Sequence, residues 1–214
     1  MGTRHLTMVQ LGGTYRIAQY GQWDGYPEGQ GQTVVKFLNT VKTKKALAAF
    51  AAKVAALKTL TDAEVATRWK EVGADDSGMV SMTISDKFKE KYPHLQRDCG
   101  AEILQLVNEG KATEVSLDIG FVKDSLFCEW AYVIDLDAGT FEVFKGFNTH
   151  PLAKTARFYS DGYKSDERAK RDKKFDIIPG EFYHYYPIRL KRKYSLKEIP
   201  SVQTFLKDMG VKSK

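Results

Sequence analysis

The chain opens with two short runs of β-forming residues that are separated by a pair of glycines. The runs cover residues 6–11 and 14–20, and Gly12 and Gly13 lie between them. Adjacent glycines adopt the positive φ angles that a two-residue hairpin turn requires. The sequence therefore predicts an antiparallel hairpin near the start of the chain. Strand periodicity places three side chains of the second run on one face: Tyr15, Ile17 and Gln19.

Helical patterns dominate the region after the hairpin. One set of apolar residues recurs at spacings of three and four, which is typical of an amphipathic helix: Leu47, Phe50, Val54 and Leu57. Thr61 and Glu64 have the spacing of a capping box, which predicts the start of another helix. A further helix is predicted over residues 98–108, with Asp98 as its N-cap.

Strand patterns return in the second half of the chain. Residues 113–119 and 140–145 alternate in polarity, and residues 126–136 are nearly all apolar, which is typical of a central strand. Strands that are grouped apart from helices favour the α+β class. We therefore predict a mainly antiparallel sheet with an N-terminal β-hairpin and several covering helices.

Charge divides the chain into two parts. Residues 153–214 contain 16 Lys and Arg against 8 Asp and Glu, whereas residues 1–152 contain 17 against 19. We predict a main α+β domain over residues 1–152 and a basic, aromatic-rich extension over residues 153–214 that packs on it. A concentrated positive field attracts polyanions.

Several classes of protein are disfavoured by what the sequence lacks. No stretch approaches the roughly 20 apolar residues of a membrane span, and the first residues have no apolar signal core, so a cytoplasmic protein without a membrane partner is expected. Two cysteines are too few for a disulfide scaffold. No cofactor motif or metal-ligand spacing is present. Asp135 and Asp137 share a strand face, where they either bind a cation or belong to a turn.

The segment from residue 19 to residue 31 is the most unusual part of the sequence. It combines four glycines and one proline after Tyr20 with amide, aromatic and carboxylate side chains. Glycine lets backbone approach a ligand closely, so these side chains are candidates for binding a polar planar ligand: Gln19, Gln22, Trp23, Asp24, Tyr26 and Glu28. The alternative is a glycine-dependent turn whose aromatic rings cover the edge of the core.

Cys99 and Glu129 each have two interpretations. Cys99 is either a nucleophile at a helix start, which would need a histidine partner, or a small buried side chain. Glu129 lies in an apolar run and is a further ligand-binding candidate. It either pairs with an arginine such as Arg4, Arg16 or Arg97, or it faces solvent at an edge.

The basic extension interleaves aromatic rings with cations, mainly over residues 153–194. Aromatic rings in a positive groove hold single-stranded nucleic acid by stacking. The residues that would make these contacts are Tyr185, Lys191, Arg192 and Lys193. A half-buried strand with solvated lysines is the alternative.

Two stretches resemble a set of uncharacterised microbial proteins from fungi, bacteria and phages. The first is Gly2-Thr-Arg at the start of the chain, and the second is Asp24-Gly-Tyr-Pro in the glycine-rich loop. The resemblance covers mainly the first 40 residues and implies no particular activity.

The order of elements also resembles the N-terminal-nucleophile hydrolases. In that superfamily the first residue of the mature chain is the nucleophile, and its own amino group is the base. Gly2-Thr3 is similar to the junction at which proteasome-type subunits are cut. The resemblance implies an amide hydrolase or an inactive relative, with Thr3 as nucleophile. Arg4 and Asp24 are further catalytic candidates near this residue and in the 19–31 loop.

The sequence thus leaves three functions open. The first is a hydrolase-like protein with its ligand site at the N-terminal hairpin and the 19–31 loop. The second is a nucleic-acid-binding protein that uses the basic extension, and the third is an interaction protein without chemistry. Whether the chain is an enzyme is not decided by any motif.

Overall fold

A computed structural model describes residues 2–75, 79–159 and 185–211. The strands in these ranges are β1 (His5–Leu11), β2 (Thr14–Gly21), β3 (Lys58–Thr59), β4 (Glu114–Val115), β5 (Trp130–Asp135), β6 (Thr140–Lys145) and β7 (Arg189–Ser195). The α-helices are α1 (Gln32–Thr40), α2 (Lys44–Ala55), α3 (Asp62–Lys70), α4 (Met82–Lys91), α5 (Ile103–Asn108) and α6 (Val202–Asp208). The mixture of helices with a mainly antiparallel sheet confirms the α+β class.

Five strands form the main sheet in the order β2-β1-β5-β6-β7. Strand β1 pairs with β5 in parallel, and the other neighbours are antiparallel. Two hairpins, β1–β2 and β5–β6, therefore lie side by side with β1 and β5 in contact. The short strands β3 and β4 form a separate parallel pair.

The predicted N-terminal hairpin is confirmed. Leu11 pairs with Thr14 across the turn, and Gly12 and Gly13 have φ angles of 64° and 72°. The carboxylate of Asp137 accepts the backbone N–H groups of Gly12 at 2.8 Å and Gly13 at 2.9 Å. Asp137 thus ties the first hairpin turn to the second, and the turn interpretation of this residue accounts for its contacts.

A β-bulge in β2 changes the face on which its side chains lie. Val9 pairs with Ile17, but the next residue of β1, Gln10, pairs with Tyr15, so Arg16 is the extra residue. Tyr15 consequently packs on the opposite face of the sheet from Ile17. The prediction that both side chains share a face was wrong, because strict alternation fails at a bulge.

One face of the sheet is covered by helices α1, α2, α5 and α6, which we call the helix layer. The apolar stripe of α2 meets the sheet through Phe50 and Val54, which are fully buried, and Thr43 caps that helix. Phe205 brings α6 into the same core. Thr61 and Glu64 form the predicted capping box at the start of α3.

The other face is covered by irregular segments, which we call the loop layer. Their buried side chains pack against Leu6, Met8 and Val133 of the sheet. The loop-layer side chains that make these contacts are Val122, Cys128, Phe158 and Ile188.

Two strand predictions were too long, since β5 covers only Trp130–Asp135 and β4 covers only Glu114–Val115. Residues 119–123 instead form a short 3₁₀ turn that supplies Val122 to this layer.

Arg157 is the polar centre of the loop layer. Its Nε donates to Glu142 Oε2 at 2.6 Å, its Nη2 bonds Asp135, and its Nη1 bonds Gln10. The carboxylates of Asp135 and Glu142 are only 5% exposed. Burial alone would raise the pKa of both carboxyl groups, but the hydrogen bonds from their neighbours outweigh it and lower both pKa values. Arg157 therefore holds the 151–159 segment on the sheet as the charge partner of two buried carboxylates.

Parts of the predicted basic extension belong to these layers. Strand β7 pairs with β6 along its length, and α6 lies in the helix layer. Residues 160–184 and 212–214 of the extension lie outside the described residues. Within the described ranges, no helix is long and apolar enough to cross a membrane.

Replacing Arg157 with Met is expected to destabilise the fold by about 3–5 kcal/mol, because the buried Asp135 loses its charge partner and the buried Glu142 keeps only the half-exposed Lys193. Urea denaturation measures this free energy of unfolding. The matched control is Arg192→Met, which removes a half-exposed arginine that lies 3.5 Å from Asp208 and is expected to cost less than about 1 kcal/mol. Equal losses in the two variants would contradict a central role for Arg157.

Candidate functional site

Four chain segments meet at one end of the main sheet. Strands β1 and β5 are parallel and begin at this end, while β2 and β6 run the other way and finish there. The segments before or after these strands are therefore neighbours: residues 2–4, 22–31, 125–129 and 146–148. The end contains most of the residues that the sequence singled out.

The 22–31 loop is fixed to the sheet by backbone contacts. Gly25 N donates to Thr3 O at 2.8 Å, and the hydroxyl of the buried Tyr132 donates to Gly25 O at 2.8 Å. A Cβ at Gly25 would lie 2.7 Å from Thr3 O, so a larger residue could not approach β1 as closely. Gln30 N closes the loop on Asp24 O at 2.8 Å. The glycines thus serve a close backbone approach, but the group approached is the protein's own first strand.

The polar side chains of the loop bind one another or nearby groups. The Tyr20 hydroxyl donates to Gln22 Oε1 at 2.6 Å, and the Tyr26 hydroxyl donates to Asp24 Oδ1 at 3.0 Å. The hydrogen bond to Asp24 raises the pKa of Tyr26. Trp23 Nε1 donates to Asp98 Oδ1 at 3.0 Å. These bonds brace the loop, and both of its carboxylates, Asp24 and Glu28, are exposed.

Aromatic side chains are exposed at this end of the sheet. The four most exposed Phe, Trp and Tyr side chains of the described residues lie here. They are Trp23 at 47% exposure, Tyr26 at 40%, Phe127 at 45% and Phe147 at 49%. Trp23 packs over Gly2, and the Arg4 guanidinium lies 4.7 Å from the centre of the Phe127 ring. We call the surface formed by these four rings and Arg4 the aromatic end.

Backbone strain is concentrated at the same place. Among the described residues, the non-glycine residues with positive φ are Asp24 at 54° and Phe147 at 52°. Aspartate tolerates this conformation, but a bulky residue adopts it at a cost of about 1–3 kcal/mol. Phe147 N is held by Ser125 O at 2.6 Å. The fold therefore keeps a strained residue whose ring stays half exposed.

Arg4 and Glu129 contact each other, and Asp24 bonds a residue of its own loop. Arg4 N lies 3.4 Å from Glu129 Oε1, and Glu129 N donates to Arg4 O at 3.2 Å. Asp24 instead bonds Tyr26. Thr3 contributes its backbone carbonyl to the loop, and its proposed role as a nucleophile stays a prediction.

A buried polar cluster lies beneath the loop, and the sequence patterns did not single it out. His5 and Thr7 alternate with Leu6 and Met8, and they point into the helix layer rather than to solvent. Thr7 pairs with Gln19 across β1 and β2. Within the described chain, both His5 ring nitrogens, Thr7 Oγ1 and Gln19 Oε1 have no hydrogen-bond partner. Gln19, a predicted ligand residue, is 4% exposed and directs its Nε2 to Gln96 O.

The two cysteines lie on opposite faces of the sheet. Cys99 is in the core of the helix layer and Cys128 is in the loop layer, and both are free. Burial raises the pKa of Cys99 to about 12, so its thiol is protonated at neutral pH. Asp98 bonds Trp23 instead of capping a helix, because α5 begins only at Ile103. The burial of Cys99 and its raised pKa favour the interpretation as a small buried side chain.

The predicted nucleic-acid residues lie on or near β7. Lys193 Nζ pairs with Glu142 Oε1 at 3.0 Å, and Arg192 pairs with Asp208 at 3.5 Å. Lys191 is exposed, and Tyr185 lies with its ring 6.3 Å from that of Phe147. Nucleic-acid binding by these residues stays a prediction.

Acid is expected to destabilise the protein through His5. Burial lowers the pKa of His5 to about 3 from the usual 6.5, so the folded state requires the neutral ring. Stability from this group is complete above pH 6.5 and falls as the pH drops towards 3, by up to about 1.4 kcal/mol per pH unit. Urea denaturation from pH 7 to pH 4 should give a shallower slope for His5→Leu than for the native chain. The control His150→Leu removes an exposed histidine, and an unchanged slope in His5→Leu would contradict the prediction.

No group of three or more His, Cys, Asp or Glu residues that could hold a metal ion occurs in the part of the chain that the structure describes. Comparisons with protein-family models, curated proteins and solved structures find no match for this chain.

Proposed function

We propose that this chain is a binding protein that docks another protein against the aromatic end. The observation that carries the proposal is the gathering of the four exposed rings at one end of the sheet. Exposed aromatic clusters of this kind mark interaction sites, and tryptophan and tyrosine are over-represented among the residues that dominate binding energy.

The polar contacts of the loop support docking over catalysis. Asp24 is bonded by Tyr26, and Gln22 is bonded by Tyr20. These hydrogen bonds brace the loop that carries Trp23 and Tyr26, and a preorganised surface loses less entropy on binding a partner. In this proposal the partner contacts the aromatic rings of the 19–31 loop and its neighbours rather than the polar side chains of that loop.

Charge around the aromatic end favours a protein partner. Both signs of charge lie near the rings, since Arg97 pairs with Asp98 at 3.9 Å and Arg4 N lies 3.4 Å from Glu129 Oε1. A nucleic acid is held by an excess of positive charge, but a protein interface combines apolar rings with a mixed polar rim.

Phe147 gives a test that separates binding from folding. Phe147→Gly removes a half-exposed ring and places glycine where φ is 52°. Relief of strain is expected to raise the free energy of unfolding by about 1 kcal/mol, while loss of a ring at the centre of an interface is expected to weaken partner binding by about 2 kcal/mol. Urea denaturation measures the first effect.

Partner binding is measured by incorporating the photo-crosslinking residue p-benzoyl-phenylalanine at Tyr26 in the source cells. We expect one defined protein adduct, with a lower yield when Phe147→Gly is also present. Gln203, an exposed residue of α6, is the control position. The proposal is contradicted by adducts of equal yield at Gln203, by no adduct at Tyr26, or by no effect of Phe147→Gly.

A further inference from the structure

Strand β7 is an edge of the main sheet. It pairs with β6 on one side, and residues 189–194 make no backbone hydrogen bond on the other side within the described ranges. The opposite edge, β2, is covered, since Asp118 N donates to Ala18 O at 2.9 Å and Asp118 Oδ2 accepts from Tyr20 N at 3.3 Å. Of the two edges, β7 is therefore the one that stays open among the described residues.

The length and exposure of β7 suit the addition of another strand. The strand has seven residues, of which Tyr194 alone is partly buried, and Leu190 is 48% exposed. Strands of globular proteins commonly have about five to six residues. An unpaired edge offers N–H and C=O groups on which an extended segment of another chain adds as a further strand. Backbone pairing of this kind would continue the sheet beyond β7.

The open edge is strongly basic. Four of its seven residues are cations, namely Arg189, Lys191, Arg192 and Lys193. Arg192 and Lys193 each have one ion pair, whereas Arg189 and Lys191 have none within the described residues. Like charges on paired strands repel each other, so a second copy of β7 is a poor occupant of this edge. A carboxylate-rich segment has the complementary charge.

The cations of β7 lie on both faces of the sheet. Arg192 is opposite Val143, which belongs to the helix-layer core, and Lys193 is opposite Glu142, which bonds Arg157 in the loop layer. A polyanion that lies on one face meets only the cations of that face, whereas an added β-strand has side chains on both faces. The arrangement therefore favours a peptide strand over a nucleic acid.

We propose that an acidic, extended segment of another protein binds as an additional strand beside β7. Its backbone hydrogen-bonds to the open edge, and its carboxylates lie next to the β7 cations on both faces, where they form new ion pairs with Arg189 and Lys191. The proposal does not involve the four rings of the aromatic end, so either mode of binding can fail without the other.

An NMR titration of the full chain tests this proposal. The probe is the peptide Thr-Glu-Glu-Val-Glu-Glu-Thr with blocked ends, which carries two glutamates on each face of a strand. We expect saturable shifts of the β7 amide signals, and we expect hydrogen exchange of those amides to slow when the peptide is bound. An oligothymidylate should bind more weakly at the same salt concentration.

Two altered peptides separate backbone pairing from charge. A version with glutamine at every glutamate position removes the charges and should bind about tenfold more weakly. A version that is N-methylated at its five central residues keeps the charges but loses N–H donors on both edges of the strand. It should also bind about tenfold more weakly, because backbone hydrogen bonds to β7 are lost.

Variants of the chain locate the site. Arg189→Gln combined with Lys191→Gln should weaken peptide binding about fivefold, because two exposed charge pairs are lost. Lys44→Gln combined with Lys45→Gln is the matched control, since it removes the same charge from exposed positions of α2. Circular dichroism confirms that each variant is folded.

The proposal is overturned if the acidic peptide does not shift the β7 signals, or if either altered peptide binds as tightly as its parent. It is also overturned if the two double variants lose affinity equally. Tighter binding of the oligothymidylate than of the peptide at β7 would overturn it as well, since the edge would then be a site for nucleic acid.

Discussion

The parallel pairing of β1 with β5 determines where everything else in this molecule lies. It joins two hairpins that are far apart in the chain, with His5 opposite Trp130 and Gln10 opposite Asp135. Since the strands are parallel, their first residues meet at one end of the sheet and their last residues at the other. The aromatic end forms where they begin. Where they finish, Asp137 binds the first hairpin turn, and Asp135 and Gln10 both bind Arg157.

Buried polar groups have charge partners on one face of the sheet and lack hydrogen-bond partners on the other, within the described residues. On the loop-layer face, Asp135 and Glu142 are paired with Arg157, so burial leaves both carboxyl groups ionised. On the helix-layer face, His5 and Thr7 are buried without hydrogen-bond partners among the described residues. Buried polar groups that lack partners reduce stability. The helix layer nevertheless accommodates them, and a Cβ at Gly21 would overlap the His5 ring, so the packing around this ring is close.

The proposed docking surface consists of groups that the fold leaves exposed after its own hydrogen bonds are made. Gln22, Trp23 and Asp24 of the 22–31 loop make hydrogen bonds within the protein, and the faces of the exposed rings stay available to a partner. The exposed aromatic side chains therefore indicate that the partner offers an apolar surface.

Local sequence determined the hairpin, the capping box of α3 and the α+β class, because glycine pairs, capping side chains and apolar periodicity act over a few residues. The candidate loop was also evident, since its composition is unusual. Tertiary structure decided the rest. The bulge at Arg16 reversed the face of Tyr15, and the helix layer buried His5 and Thr7, which no local pattern had marked as core residues. Arg157 could not be recognised as central, because its partners Gln10, Asp135 and Glu142 reach it only through strand pairing between distant parts of the chain.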